Sequence, residues 1–185
     1  NIMQVRNLAQ QIEQTAPDWA HWPTEIPTSS YRYQAPALNH EGAMQAGQQL
    51  HEAFCNYTSG KWITPALYTP CLIIENALAD IGVHKIHSEQ PLRQGSLCGQ
   101  VDLHGTLKND RPVVIELKAT LGEFATKPRP SELIQLATYA HLLGHQNPLL
   151  VCLRVALRQQ RVNAFCLEES SPIIDQLQHH IAAAA

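Results

Sequence analysis

The feature that most narrows the fold is a block of strand-patterned runs interrupted once by a helix. Val83 to Glu89, Leu97 to Leu107 and Arg111 to Ala119 each read as strands, the last with Val113-Val114-Ile115 as a buried centre. Asn109-Asp110 supplies a tight turn between the second and third. A loop with Gly122, Pro128 and Pro130 leads into a helix that Ser131 caps and that runs to about Leu143. Leu133, Leu136, Ala137 and Ala140 face inward on it, and Gly144 closes it. Leu149 to Ala156 is a fourth strand, and Arg161 to Leu167 a fifth, paired with it. Helix, three strands in meander, helix, strand is the order of a mixed α/β or α+β layer architecture.

Further helices flank this block. Val5, Leu8 and Ile12 recur at helical spacing and predict a helix to about Thr15. A second runs from about Glu41 to Tyr57, with Ala43, Gly47, Leu50, Phe54 and Tyr57 as its apolar stripe and His51 on the border; Ser59-Gly60 ends it. Pro70 opens a third, from Cys71 to Ile81, which Gly82 stops, and Pro172 opens the last, through Ile181. Between Ala16 and Asn39, Pro17, Pro23, Pro27 and Pro36 interleave with Trp19, Trp22, Tyr31 and Tyr33. That composition predicts an extended, irregular arm, whose aromatics beside Arg32 either cover a core edge or stack on bases. The expected division is an arm with its helix over 1–40 and a main domain over 41–185.

Composition sets the boundaries. The 185 residues are 44% hydrophobic and 16% charged, enough apolar matter for one sizeable core. No run is long and apolar enough for a transmembrane helix, and the first residues show no apolar leader segment, so no membrane association and a cytoplasmic location are expected. Cys55, Cys71, Cys98, Cys152 and Cys166 are odd in number and contain no C-x-x-C pair, which predicts free thiols rather than a disulfide framework or zinc knuckle. A net charge of −3 argues against binding polyanions by bulk charge alone. The charge is uneven: His84 to Pro130 carries seven basic residues against five acidic, so the middle is locally basic within an acidic chain.

Chemistry concentrates in Gly99-Gln100-Val101-Asp102 and Glu116-Leu117-Lys118. Positions two apart on a strand share a face, so Glu116 and Lys118 project together. Counting from the Asn109-Asp110 turn, Asp102 lies opposite Glu116 to within a residue of register. Two carboxylates held close repel each other, and a divalent cation is the simplest partner that keeps both ionised. A lysine beside such a cation can position or deprotonate a water and offset charge on a phosphorane-like transition state. Gln135 and Tyr139, four apart on the following helix, share one flank of it.

Taken together, His51, Gly99-x-x-Asp102, Glu116-x-Lys118 and Gln135-x-x-x-Tyr139 resemble the PD-(D/E)XK nuclease superfamily, specifically its RecB-like branch. The resemblance spans roughly Glu41 to Leu143, with Val101 where the family name has proline. It implies a restriction-endonuclease-like core with added terminal helices. It implies magnesium or manganese held by His51, Asp102, Glu116 and the main-chain carbonyl of Leu117, with Lys118 acting on the attacking water. Gln135 and Tyr139 would hold DNA near the scissile phosphate or brace the site, and Glu89 is a candidate supporting or second-metal carboxylate. Lys127 and Arg129 are candidate phosphate contacts. Some RecB-like relatives carry an iron–sulfur cluster on one upstream and three closely spaced downstream cysteines. Cys152 and Cys166 have no third cysteine behind them, so no cluster is expected.

The activity implied is a metal-dependent deoxyribonuclease, acting as an exonuclease on single strands or DNA ends. No G-x-x-x-x-G-K-[ST] segment is present, so a helicase or recombination protein would be a separate partner. Two alternatives stay open: a non-catalytic nucleic-acid-binding or assembly subunit with this fold, and a sequence- or structure-specific endonuclease.

Overall fold

A computed structural model describes residues 2–15, 28–35, 42–121 and 128–185. In chain order the elements are β1 (Met3–Gln4), α1 (Val5–Thr15), β2 (Thr28–Arg32), α2 (Ala43–Thr58), α3 (Pro65–Ile81), β3 (Val83–Gln94), β4 (Leu97–Leu107) and β5 (Pro112–Thr120). They continue with α4 (Pro130–Leu142), β6 (Leu149–Ala156), β7 (Arg161–Leu167) and α5 (Ser171–Ala184). The architecture is mixed α/β: one seven-stranded mixed sheet with helices on both faces.

β6 is buried along its whole length, as expected of a central strand covered on both sides. It runs parallel to β5, with Glu116 opposite Cys152 and Lys118 opposite Arg154. A parallel neighbour needs a crossover, and α4 provides it. β7 is antiparallel to β6, and β2 is antiparallel to β7. On the other side β4 pairs antiparallel with β5 and, along its opposite edge, with β3.

Side chains alternate between two cores. On one face Val5, Leu8 and Ile12 of α1 pack with Leu133, Leu136 and Ala140 of α4 and Ile174 and Leu177 of α5. On the other, Leu50 and Phe54 of α2 and Leu67, Ile74 and Leu78 of α3 pack against Leu103, Ile115, Leu117 and Leu153.

Several expectations need correction. α3 begins at Pro65, not after Pro70; Pro70 lies inside it. A proline this near a helix start forfeits one backbone hydrogen bond while burial of Leu67, Cys71 and Ile74 still favours the helix. In α2, Leu50 and Phe54 face the core as expected, but Ala46 and Ala53 complete the buried stripe while Gly47 and Tyr57 are only half-buried, so the helix is turned somewhat from the expected face. The N-cap of α4 is Arg129, with Pro130 in its first turn, rather than Ser131. β3 continues past Glu89 to Gln94 and meets β4 in a hairpin at Gly95, whose φ is +58°. Within the expected arm, Thr28–Arg32 forms a sheet strand, because β7 offers it a free edge to pair. Trp19, Trp22 and the prolines of that arm lie outside the described residues. All five cysteines are free thiols. No described helix is long and apolar enough to cross a membrane.

Candidate active site

The edge of β4 that faces β5 is shared. β5 pairs with it from Leu103 to Thr106, and β1 pairs with it at Leu97 and Cys98. Between them β5 has left the ladder, and Asp102 stands at the fork. Its Oδ2 accepts a hydrogen bond from the Leu117 amide at 2.8 Å, replacing the rung that a continuing ladder would have made. β4 also changes face here: Val101 packs in the α1/α4/α5 core, and Leu103 in the α2/α3 core. Opposite Asp102 on β3, Glu89 adopts φ +51°, the left-handed region that a non-glycine residue visits at a cost.

Glu116 and Lys118 share a face as their spacing requires, and their side chains form an ion pair. Glu116 is 1% exposed. One of its oxygens, Oε1, also accepts from Gln135 Nε2 at 3.0 Å, and the same Nε2 lies 3.4 Å from the Tyr139 hydroxyl. The other, Oε2, is buried without a hydrogen-bond partner. α4 thus holds the carboxylate by one oxygen and leaves the other without a partner.

Gly99 explains the spacing of Gly99-x-x-Asp102. A Cβ there would sit 2.8 Å from the Tyr139 ring and 3.0 Å from Val5. The absent side chain lets Tyr139 lie against β4, where it meets Gln135.

His51, on α2, reaches the fork from the opposite face. Its Nε2–H donates to the Leu117 carbonyl at 2.7 Å. A carbonyl only accepts, so Nε2 carries a proton, and Nδ1 faces Asp102 Oδ1 at 3.4 Å. Leu117 is held at both ends, its amide by Asp102 and its carbonyl by His51.

The charges carry the marks of burial. Desolvation raises the Asp102 carboxyl above its ordinary range, Leu117 and Lys118 oppose this, and the charge of Glu89 adds to it. Glu116 is raised by burial and by Asp102 beside it, against the pull of Lys118. Burial works to lower Lys118, but Glu116 and Asp102 outweigh it and the ammonium form is favoured. Burial, followed by Glu116, raises Tyr139, so its hydroxyl keeps its proton.

The site's chemistry fits a hard divalent cation in part. Among the described residues, no three His, Cys, Asp or Glu side chains form a ready cage. The donors are Asp102 Oδ1, the unpartnered Glu116 Oε2, the second lone pair of the Leu117 carbonyl and His51 Nδ1, mostly oxygens as magnesium prefers. An orphaned carboxylate oxygen at full burial is costly unless a cation or proton meets it.

Of the expected residues, His51, Asp102, Glu116, Leu117, Lys118, Gln135 and Tyr139 converge. Gln135 and Tyr139 are buried rather than lying on an open flank. Arg129 is exposed at the start of α4, and its amide donates to Glu132 at 2.7 Å. Lys127 lies outside the described residues. Two residues escaped the sequence reading. Arg154 neighbours Lys118 across β5 and β6, and it pairs with Glu132 one turn before Gln135. The signal was there: a single charge inside the otherwise apolar run Leu149–Ala156 demands a buried partner.

No protein-family model and no curated protein matches the sequence. Among solved structures the chain is similar to an alkaline exonuclease from Laribacter hongkongensis at 13% identity, over 99% of this chain and 85% of that one, with a TM-score of 0.47. It is similar to a phage-related exonuclease from Haemophilus somnus 129PT at 11% identity, over 83% and 92%, with a TM-score of 0.38. Chemistry rests with the side chains described above, not with these backbone overlaps.

Proposed function

We propose that the chain is a metal-dependent nuclease of the PD-(D/E)XK type and RecB-like branch, hydrolysing phosphodiester bonds of DNA at single strands or ends. The observation that carries this reading is Glu116: fully buried, paired through one oxygen with Lys118 and Gln135, and with its other oxygen unmet. A purely structural ion pair has no use for a buried carboxylate oxygen left without a partner.

Asp102, Glu116, the Leu117 carbonyl and His51 would hold magnesium or manganese. When bound, the cation supplies Lewis acidity, easing loss of a proton from water and drawing charge from the phosphoryl oxygens. The chain's own groups do the rest. Lys118 presents a fixed ammonium to the attacking water and the phosphoryl oxygens, where charge grows as the bond breaks. Gln135, backed by Tyr139, fixes the Glu116 carboxylate against rotation. Asp102 and His51 clamp Leu117, which sets the spacing of Glu116 and Lys118 on either side of it. A helicase or recombination protein acting as a separate partner, in the cytoplasm, accords with this role.

End-labelled single-stranded and duplex DNA, incubated with Mg²⁺, tests the reading. The parent is expected to cut, and Lys118→Ala and Glu116→Gln to fall by two or more orders of magnitude while melting cooperatively. Equal cutting by Lys118→Ala and the parent would overturn the mechanism. Tight binding in EDTA with no cutting in Mg²⁺ or Mn²⁺ would instead favour a binding subunit.

A further inference from the structure

We propose that the sheet half formed by β6, β7 and β2 carries the backbone of the DNA strand leading away from the cut, with Arg32 and Arg161 as its phosphate-binding pair. The nature of the ligand rests on the nuclease reading; the surface rests on geometry.

The register lays out a path. Lys118 lies opposite Arg154, Arg154 opposite Asn163, and Asn163 opposite Ser30. Two residues further on, Ala156 lies opposite Arg161, and Arg161 opposite Arg32. Directly opposed residues share a sheet face, and so do residues two apart on a strand. Lys118, Arg154, Asn163, Arg161, Ser30 and Arg32 therefore all project on the face that α4 occupies. From Lys118 to Ser30 the row crosses three strand intervals, about 14 Å at the usual strand spacing.

The row emerges from under the helices. α4 packs on β5 and β6, whereas the helix packed on β2 is α3, on the opposite face. Arg154 is buried, Asn163 and Arg161 are half-buried, and Ser30 and Arg32 are exposed. A strand lying on this shelf would descend from β2, the edge strand among the described residues, to the candidate site.

Arg32 and Arg161 are like charges on paired positions of neighbouring strands, an arrangement that repels. Among the described residues no acidic group forms an ion pair with either. A phosphate between two guanidinium groups turns that repulsion into two charge-assisted contacts. Further along the row, Arg154 is 7% exposed and keeps its Nε unpartnered although it pairs with Glu132. Glu132 is thus spent on Arg154 and does not neutralise the outer pair. Asn163 between them carries an amide that can donate to a phosphate oxygen.

The test is binding of labelled oligothymidine in EDTA, followed by anisotropy over a range of salt. Each neutralised phosphate contributes about 0.7 to the slope of log K against log salt for a single strand, so the double variant Arg32→Gln/Arg161→Gln, which gives up the one phosphate held between the pair, should lose about 0.7. Lys108→Gln/Arg93→Gln, which removes two exposed charges elsewhere, should leave the slope unchanged. In Mg²⁺ the Arg32/Arg161 variant should show a raised KM with kcat retained. An unchanged slope in that variant, or an equal loss in the Lys108/Arg93 control, overturns the proposal. Cleavage by the parent decides the nuclease reading separately: a parent that binds but never cuts would sink that reading and leave the slope to judge the shelf.

Discussion

Asp102 and Leu117 are joined side chain to main chain across 2.8 Å, at the place where β4 and β5 cease to be a ladder. A carboxylate has taken over a backbone rung, so the strand fork and the candidate metal site are one feature. Asp102→Ala removes both the acceptor and a carboxylate. The expected outcome is loss of Mn²⁺ binding by titration calorimetry and a stability loss of about 1–3 kcal/mol, from an amide left without its partner. Retained Mn²⁺ affinity would show that the cation lodges elsewhere.

Gly99→Ala tests the packing behind Glu116. The new Cβ would meet the Tyr139 ring at 2.8 Å, so the ring must shift and carry the Gln135 contact with it. A cost of about 1–3 kcal/mol is expected from overpacking, read as the urea midpoint. Adding Tyr139→Leu should cost less in the Gly99→Ala background than in the parent, because the two changes relieve one clash.

The pair formed by Arg154 and Glu132 is largely buried, and either partner alone would be left as an uncompensated charge. Arg154→Met should destabilise by about 3 kcal/mol, while Arg154→Met/Glu132→Gln should recover part of that loss. A double variant no more stable than the single would argue that the pair is not an isolated couple.

His104, two residues along β4 from Asp102, sets a pH dependence of stability. Burial lowers its pKa below the ordinary imidazole value, and His87, stacked on it at 5.2 Å between ring centroids, and His145 add to the effect. The unfolded chain therefore binds the proton more readily than the folded one. The stability that a neutral His104 contributes is present above the ordinary imidazole range and is lost as pH falls through the folded value. Melting of the parent should drop across mildly acidic pH, and His104→Asn should flatten that drop. Identical pH profiles would refute the assignment.

Much of this protein could be read from its residues alone. Periodicity placed β4, β6 and β7 at the bounds the structure shows, because a strand buried on one or both faces leaves a pattern of period two or an unbroken apolar run. The spacing of Glu116-Leu117-Lys118 fixed a shared face for the two charged groups, since alternation along a strand is a property of the backbone itself. Other features belong to the assembled sheet. The rotation of α2 that buries Ala46 and Ala53, the strand at Thr28–Arg32, the fork at Asp102 and the pairing of Arg154 with Glu132 all join segments far apart in the chain. Local propensity carries no information about which distant edge, helix or charge will arrive to meet them, and only tertiary packing settles that.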